Sequence, residues 1–372
     1  MNINEIRREI NGVNDEILAA FDRRMQLAAQ VAQYKKENNM DIFDKPREEE
    51  ILADVAKNAN PQYSAETVEM FKTLMTISKN YQYKKIGGQS AGYVVCESLN
   101  VDKLAYAGVE GCYAYQAAKR SFSQVQMVSV NSFEDVFAAL ESGTCDFGIV
   151  PIENSSSGSL FDVYGMLMDY GHYIAAETFL KIDHNLMAKP GTKIENITKI
   201  YSHPQAFLQC EGYLRQMGDV QQIPCYNTAA GAFDIARSGE LGCAAIASSY
   251  AARLYGLEIL AEHINDNPDN YTRFAVITKD FLISNKASHV SIAFSLSHES
   301  GSLYHTLSIF ACNNLNLVKI QSRPYPSSKF KYWFFAEFEG RLTAPGMDNA
   351  LEFLRKETEN FIIFGNYEQH EI

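Results

Sequence analysis

The chain has 372 residues, of which 46% are hydrophobic and 21% charged, and this is enough for two or three globular domains. A net charge of −12 argues against nucleic acid as a partner, and no run of 18 apolar residues predicts a membrane span. The seven cysteines form no Cys-x-x-Cys pair and the eight histidines no closely spaced pair, so we expect reduced thiols in the cytoplasm and no metal.

The first predicted element is one long helix from Ile3 to Asn38, roughly 50 Å in length. Its apolar residues recur in steps of three and four, at Ile3, Ile6, Ile10, Val13, Ile17, Ala20, Leu27, Val31 and Tyr34. A helix of this length cannot bury such a stripe against itself, so it needs partner helices from this chain or another. Arg24 interrupts the stripe, and either the register is misassigned or the guanidinium binds an anion inside the bundle.

Two shorter helices follow. Asp44 is the predicted N-cap of a helix that runs to about Asn58, and Ser64 the predicted cap of one that runs to about Tyr83. Three helices of unequal length make a poor core for a monomer, so we expect a homodimer or a higher homo-oligomer.

The charged residues of the first helix give the same indication. Arg24 and Lys35 share a helix face, whereas Arg7 lies about 25 Å from Arg24 along the axis. One small ligand could therefore contact both arginines only if Arg7 came from an antiparallel partner chain.

Eight polar positions in residues 1–85 together resemble the active-site pattern of the all-helical chorismate mutase family. They are Arg7, Arg24, Lys35, Asp44, Arg47, Glu48, Ser78 and Gln82. The resemblance implies an intertwined dimer of three-helix chains in which each site receives an arginine from the partner.

The resemblance also implies a role for each residue. Arg24 and the partner's Arg7 would hold the carboxylates of chorismate, while Lys35 and Gln82 would donate to its ether oxygen. Glu48 would accept from the ring hydroxyl, and the supporting residues would be Asp44, Arg47 and Ser78. The rearrangement to prephenate is pericyclic, so the protein needs to compact the substrate and stabilise developing charge, without a nucleophile or a cofactor.

Residues 87–100 read as a linker with a short strand at Tyr93–Cys96, after which strands and helices alternate. The predicted strands are Leu104–Ala107, Gln126–Val130, Phe147–Val150, Lys199–Ser202, Gln221–Pro224 and Cys243–Ala247. The predicted helices are Tyr113–Arg120, Phe133–Glu141, Pro204–Gln216 and Thr228–Arg237. This is an α/β architecture in two lobes, and ligands favour the crevice at the strand carboxyl ends.

Polar clusters occupy several of those strand ends. They include the turn at Gly111, the segment 151–156 after a strand, the junctions at 202–205 and 227–229, and the segment 270–274 where the chain returns to a strand. Each alone is most often capping chemistry. Together, over residues 101–281, they resemble prephenate dehydratase, whose fold is two lobes of the periplasmic-binding-protein type with the site in the cleft.

The resemblance implies which residues bind prephenate. They are Gly111, Asn154, Ser155, Gln205, Asn227, Thr228 and Phe274. Cys112 stands where the family more often has serine or threonine, which weakens a substrate-binding role for a hydroxyl at that position.

The implied reaction removes the ring hydroxyl of prephenate as water and the ring carboxylate as CO2, which gives phenylpyruvate without a cofactor. Thr272 would hydrogen-bond the departing hydroxyl, and Arg273 would order the site or hold a carboxylate. Because threonine is a feeble acid, proton donation would need Glu153, His203 or a water behind it, and the sequence does not rank these three.

The predicted elements after residue 288 follow the β-α-β-β-α-β order of a ferredoxin-like α+β domain and carry no catalytic constellation. This module resembles an ACT domain, which pairs across dimers and binds amino acids. By resemblance the phenylalanine-binding residues would be Gly301, Ser302, Leu303, Ser322, Arg323 and Pro324. Gln321, Ser302 and Tyr304 depart from the commoner residues of these motifs, and we still expect feedback inhibition by phenylalanine.

The sequence therefore predicts a mutase domain at 1–86, a linker at 87–100, a dehydratase domain at 101–284 and an ACT domain at 288–372. Its ligands would be chorismate, prephenate and phenylalanine. A mutase–prephenate dehydrogenase is disfavoured because no dinucleotide fingerprint occurs. A non-catalytic amino-acid sensor would not explain Arg24, Lys35, Glu48 and Gln82. Arogenate as a second substrate, channelling of prephenate, and dimer against tetramer stay open.

Overall fold

The structure, a computed structural model, describes residues 2–86, 92–238, 240–324 and 332–370. The chain forms two compact units. The first unit combines Met1–Gly92 with Val290–Ile363, and the second combines Tyr93–His289 with Phe364–Ile372. Residues 87–91 of the predicted linker lie outside the described part of the chain, and residues 94–96 of it form a strand.

The helices are α1 (Ile3–Glu37), α2 (Lys45–Asn58), α3 (Ser64–Ile86), α4 (Tyr113–Ser121), α5 (Phe133–Glu141), α6 (Phe161–Tyr170), α7 (Pro204–Gln209), α8 (Glu211–Gln216), α9 (Thr228–Arg237), α10 (Ser249–Tyr255), α11 (Ser302–Cys312) and α12 (Met347–Glu357). The strands are β1 (Val94–Cys96), β2 (Lys103–Ala107), β3 (Gln126–Val130), β4 (Phe147–Asn154), β5 (Gly158–Ser159), β6 (Tyr173–Lys181), β7 (Asn185–Ala188), β8 (Lys199–Ser202), β9 (Gln221–Pro224), β10 (Cys243–Ala247), β11 (Glu258–Ala261), β12 (Tyr271–Thr278), β13 (Leu282–Ser284), β14 (His289–Ser295), β15 (Leu317–Pro324), β16 (Tyr332–Glu339), β17 (Asn360–Tyr367) and β18 (Gln369–His370).

The three N-terminal helices form where the sequence predicts them. An N-terminal capping box between Asn2 and Glu5 starts α1, and the Asp44 carboxylate accepts from the backbone N–H of Arg47 to start α2. Ser64 was expected to cap α3, but it is the first helical residue after a short 3-10 turn. Helix α3 packs against both α1 and α2.

Most of the apolar stripe on α1 lies exposed in this chain. Ile3, Ile10 and Ile17 are each more than half exposed, and Ala28 and Ala32 are the buried residues among those described on the helix. The helix therefore presents a long apolar face that the described residues of its own chain leave exposed.

We call the elements β14–β17 with α11 and α12 the C-terminal module. Their order is strand, helix, strand, strand, helix, strand, and the sheet runs β15-β16-β14-β17. Both helices of this module pack against α3. The short strand β18, at the end of the chain, instead pairs in parallel with β6 of the second unit.

The second unit contains two mixed sheets, which form its two lobes. One runs β18-β6-β12-β4-β2-β3, with β5 attached to β4, and the other runs β11-β7-β10-β8-β9. Parallel pairs such as β2/β3 and β8/β9 place several strand carboxyl ends at the same edges, as the predicted α/β architecture requires.

Two predicted boundaries in this unit are wrong for physical reasons. The strand predicted to end at Val150 continues to Asn154, because Pro151 lies beside a register irregularity where no ladder N–H is required of it. The helix predicted from Pro204 to Gln216 is broken at Cys210, and the carboxylate of Asp266 accepts from the N–H of Gly212 at the start of α8.

Among the described residues, none of the helices has the length and apolar character needed to cross a membrane.

Candidate active sites

Arg24 is half-buried between α1 and α3. Its Nη1 donates to the carbonyl oxygen of Leu74 at 2.9 Å and to the hydroxyl of Ser78, which itself donates to the same carbonyl at 2.8 Å. Burial lowers the pKa of the Arg24 guanidinium from its usual value, although it remains charged near neutral pH. The residue that interrupts the apolar stripe is thus a fixed cation at a helix interface.

Three further predicted mutase residues, Lys35, Arg47 and Glu48, lie near the turn between α1 and α2. The ammonium of Lys35 donates to the carbonyl oxygen of Ile42 at 2.6 Å, in the turn between the two helices. Glu48 accepts from Lys79 of α3 at 3.1 Å. Arg47 pairs with Glu50 at 2.5 Å on the exposed side of α2, so its guanidinium points away from the helix interface.

Gln82 lies one turn after Ser78 on α3 and is 9% exposed. Its side-chain oxygen is buried without a hydrogen-bond partner among the described residues. Arg7 is exposed on α1. Because α1 is one unbroken helix, Arg7 remains about 25 Å from Arg24 of the same chain.

The second unit contains a cavity of about 510 Å³ between residues of its two lobes. Seven of the predicted dehydratase residues line it: Asn154, His203, Gln205, Asn227, Thr228, Thr272 and Phe274. Residues from the first turn of four helices, α4, α5, α7 and α9, also lie in its wall. Backbone N–H groups at helix starts favour anions, so the cleft can receive a dicarboxylate.

Asn154 and Thr272 are register partners on the adjacent strands β4 and β12, and both are buried. The Asn154 Nδ2 donates to Thr272 Oγ1 at 3.0 Å and to Asn270 Oδ1 at 2.7 Å. The Asn154 Oδ1 accepts from the backbone N–H groups of Ser156 and Ser157, each at 3.0 Å. These two N–H groups fix the amide orientation, so Thr272 Oγ1 must accept from Asn154 and keeps its own proton for another acceptor.

Arg273 and Glu153 are also register partners on β12 and β4, and they are adjacent in the strands to Thr272 and Asn154. Arg273 donates to Glu153 at 2.9 Å and to the fully buried Glu177 of β6 at 2.5 Å. Neither Arg273 nor Glu153 is among the residues that line the cleft. Side chains alternate along a strand, so this ion-paired group lies on the face of β12 opposite to Thr272 and Phe274.

Three polar residues of the cleft wall extend the hydrogen bonds of Asn154, and the sequence did not single them out. Gln209 Nε2 donates to Asn154 Oδ1 at 3.4 Å, and Gln209 Oε1 lies 3.0 Å from His184 Nε2. His184 Nδ1 lies 3.1 Å from the hydroxyl of Tyr113. Burial lowers the pKa of His184 to about 4, so the ring is neutral near pH 7. These residues come from three separated segments, and no short motif could have identified them.

Asn227 faces the cleft from the start of α9. Its Oδ1 accepts from the N–H of Ala230, while its Nδ2 is buried without a hydrogen-bond partner among the described residues. Gly108 approaches this amide so closely that a Cβ there would lie 2.5 Å from Nδ2. A buried donor without a partner costs free energy, which a ligand oxygen would recover.

Three further positions lie in or near the wall with different functions. Cys112 lines the cleft, and burial raises the pKa of its thiol to about 11, so it is not a thiolate. Gly111 is not a lining residue; its φ of +87° allows the turn before α4. Ser155 is also outside the lining and ties two loops by bonds to Asp269 and Tyr271.

In the C-terminal module, the predicted effector residues lie in two places. Gly301 is the left-handed N-cap of α11, with Ser302 and Leu303 in the first turn. Ser322, Arg323 and Pro324 end β15, an edge strand of its sheet.

Comparison with known proteins identifies both catalytic modules. The model of the family described as chorismate mutase type II matches residues 6–83. The model of the family described as prephenate dehydratase matches residues 104–281. These are the two segments that contain the clusters described above.

A protein of Aquifex aeolicus, strain VF5, described as a bifunctional chorismate mutase/prephenate dehydratase, is 32% identical over 98% of this chain and 97% of its own. The chain belongs to the bifunctional chorismate mutase/prephenate dehydratase family. It is thus a two-activity enzyme of phenylalanine biosynthesis. An arogenate dehydratase of Petunia hybrida is 35% identical over 71% of each chain.

A solved structure supports the architecture of the second unit of this bifunctional enzyme. The prephenate dehydratase of Arthrobacter aurescens, in complex with L-Phe, is 25% identical and covers 71% of this chain and 89% of its own, with a TM-score of 0.64. The dehydratase module is therefore a two-lobed domain of the periplasmic-binding-protein type, with the cleft between its lobes.

Proposed function

We propose that the helical module rearranges chorismate in a site shared by two chains, and that the interlobe cleft aromatises prephenate with Thr272 as hydrogen-bond donor. The observation that carries the proposal is the Asn154–Thr272 pair, which leaves the Thr272 proton directed to a ligand. The seven cysteines, all free thiols, support a cytoplasmic location.

In the mutase site, Arg24 holds a carboxylate of chorismate. Ser78 and the Leu74 carbonyl fix its guanidinium, so little conformational freedom is lost when the substrate binds. Lys35 and Gln82 donate to the ether oxygen as the carbon–oxygen bond breaks, and Glu48 accepts from the ring hydroxyl. The catalytic effect comes from holding the substrate compact and stabilising this oxygen.

The partner's Arg7 completes the site. The 35-residue helix separates Arg7 from Arg24 of its own chain, and its uncovered apolar face supplies the surface on which a second copy packs antiparallel. The buried side-chain oxygen of Gln82, which has no hydrogen-bond partner among the described residues, also fits a site that a second chain and a substrate complete.

In the dehydratase cleft, Thr272 donates its proton to the hydroxyl that leaves prephenate. Asn154 fixes the direction of that donation, since its Nδ2 occupies a lone pair of Thr272 Oγ1. The ring carboxylate departs as CO2 and aromatisation drives both losses. His203 lines the cleft, whereas Glu153 is paired with Arg273, so His203 or a water is the favoured proton source behind Thr272.

Substrate carboxylates are held from the opposite wall. The donors there are Asn227 Nδ2, which has no partner among the described residues, and the starts of α9 with Thr228 and of α7 with Gln205. Phe274 packs on the ring. Arg273 orders the strands through its ion pairs with Glu153 and Glu177, and it does not contact a carboxylate of the substrate.

The C-terminal module is an ACT-type, ferredoxin-like regulatory domain that binds phenylalanine. Its element order and sheet order support this, as does the L-Phe complex of the Arthrobacter enzyme. Val318 and Ile320 are 45% and 41% exposed on the edge strand β15, a surface suited to pairing with a second copy. Dehydratase activity indifferent to millimolar phenylalanine would contradict this assignment.

One assay tests the two activities together. Chorismate supplied without a nicotinamide cofactor should yield phenylpyruvate, and arogenate supplied in its place should yield phenylalanine only if the cleft accepts the amino analogue. Thr272→Ala should abolish most dehydratase turnover while Thr272→Ser, which keeps the hydroxyl, should retain part of it. Equal activity of these two variants would remove Thr272 from the mechanism.

A further inference from the structure

Lys79 lies on α3 directly after Ser78 and is the meeting point of three elements. Its side chain is 8% exposed. The ammonium lies 3.1 Å from Glu48 Oε1 and 3.2 Å from Glu48 Oε2, on α2. It also lies 2.6 Å from Oε1 of Glu357, the last residue of α12 in the C-terminal module.

The surroundings of this ammonium leave it little freedom. The rings of Phe43 and Phe353 lie 5.0 Å and 5.7 Å from it, which adds attraction on the sides not taken by carboxylates. A charge this buried is stable only while it is paired, and both of its partners are carboxylates. Lys79 therefore holds Glu48 and Glu357 at fixed positions.

Burial raises the pKa of the Glu357 carboxyl, and Lys79 opposes that rise. Glu357 thus depends on Lys79, and Lys79 in turn divides its three N–H donors between Glu357 and Glu48. A change at Glu357 must alter how the ammonium holds Glu48.

We propose that Lys79 is a positioning residue of the mutase site, and that Glu357 makes the C-terminal module part of the scaffold that orients Glu48. This rests on the proposed function, in which Glu48 accepts from the ring hydroxyl of chorismate. Lys79 does not touch the substrate. It fixes the orientation in which the Glu48 carboxylate accepts the hydrogen bond from the ring hydroxyl.

Other contacts keep α3 on the C-terminal module when this link is cut. Tyr83 stacks on Phe353 with ring centroids 5.0 Å apart, and Asn313 Nδ2 donates to Asn80 Oδ1 at 2.9 Å. Lys84 donates to the carbonyl oxygen of Cys312 at 3.4 Å. Loss of the Glu357 carboxylate should therefore change the pairing of Lys79 without detaching the module.

The test uses the full-length enzyme with Lys79→Met, Lys79→Arg, Glu357→Gln and the double variant K79M/E357Q. Lys84→Met is the matched control, because it removes another α3 lysine that contacts the C-terminal module without touching Glu48. Mutase kcat and KM are measured with chorismate. Dehydratase activity with prephenate is the internal control for enzyme concentration, and circular dichroism with thermal unfolding reports whether the helical unit of each variant is folded.

We expect K79M to lower mutase kcat/KM by about 10- to 100-fold, the loss typical of a misplaced group, and K79R to recover part of it. E357Q should lose about threefold to tenfold, and the double variant should be no worse than K79M, since both act through one ammonium. Dehydratase activity in each, and mutase activity in K84M, should stay within about twofold of the parent.

Mutase activity of K79M within about twofold of the parent would overturn the proposal, as would equal losses in K84M and K79M, or additive losses in the double variant. Should K79M fail to fold, E357Q carries the test, and full mutase activity in E357Q would overturn the link to the C-terminal module. Glu48→Gln distinguishes a failure of the proposed function from a failure of the Lys79 proposal. A fully active E48Q refutes the proposed role of Glu48. An impaired E48Q with an unaffected K79M refutes only the role of Lys79.

Discussion

Replacing Asn154 by aspartate tests the dehydratase mechanism directly, because the two side chains have the same shape and differ in one terminal group. In the enzyme, Nδ2 of Asn154 donates to Thr272 Oγ1 at 3.0 Å. An aspartate carboxylate can only accept. In Asn154→Asp the Thr272 hydroxyl would therefore donate to the new carboxylate and would lose the proton it offers to the departing hydroxyl.

The size of the effect follows from the bonds of Asn154. Loss of one directed donor to a leaving or oxyanionic oxygen typically costs about 10²- to 10³-fold in kcat. Two further acceptors, Asn270 Oδ1 at 2.7 Å and the Tyr271 carbonyl at 3.1 Å, would face an oxygen instead of a donor. Each buried group left unpaired costs about 1–3 kcal/mol, so the free energy of unfolding of this unit should fall as well.

Steady-state dehydratase kinetics with prephenate measure the loss, and mutase turnover of chorismate by the same preparation is the internal control. Asn267→Asp is the matched variant, because Asn267 is an exposed loop asparagine that bonds Ser156 and the N–H of Asp269. It should behave as the parent. Burial raises the pKa of a carboxyl, so Asn154→Asp should regain part of its activity as the pH is lowered and the protonated acid again donates to Thr272.

Dehydratase kcat within about threefold of the parent in folded Asn154→Asp would refute the reasoning, because the hydroxyl would then be shown to act without a fixed donor behind it.

Three further outcomes are expected. Arg24→Ala should lower mutase kcat/KM by about 10²-fold or more and leave dehydratase kinetics intact, and full mutase activity would remove Arg24 from the site. Mixing the inactive variants Arg7→Ala and Arg24→Ala should restore partial mutase activity in verified heterodimers, since one of the two shared sites then has both arginines; no recovery would contradict a shared site. The neutral form of His184 is favoured by folding, because its pKa falls from 6.5 to about 4. The stability that this contributes is complete above about pH 6.5 and is lost as the pH falls through about 4, by at most about 3 kcal/mol. Urea unfolding followed against pH should show this slope in the parent, and a smaller slope in His184→Gln.

The sequence predicts the architecture because local signals and periodicity agree over most elements. The long α1, the N-cap at Asp44 and the strand β3 lie where pattern and capping chemistry place them. The sequence predicts that the strand ends before Pro151, but a bulge against β12 lets the strand continue. The sequence also predicts one helix through Cys210, but the helix breaks there and the carboxylate of Asp266 caps the second part. Both features depend on partners that are distant along the chain.

The candidate sites were predictable to the extent that motifs carry them. Thr272 and Asn154 lie in recognisable segments. Only the folded sheet shows that their neighbours Arg273 and Glu153 face the opposite side of the strands. Tyr113, His184 and Gln209 had no signal, since tertiary structure alone assembles them. No sequence pattern marks Lys79, because its burial depends on α12, which is more than 260 residues away along the chain.

The register of β4 against β12 has a consequence for exchanging parts between related enzymes. Thr272 lies opposite Asn154, and Arg273 lies opposite Glu153, so the hydrogen-bonded pair and the ion pair are both split across two strands that are more than 100 residues apart in sequence. A chimera that takes one strand from another parent would separate both pairs at once. Recombination points placed between residues 155 and 270 therefore test whether these strands are inherited as one block, and a single-residue deletion in either strand would exchange the cleft face for the ion-paired face.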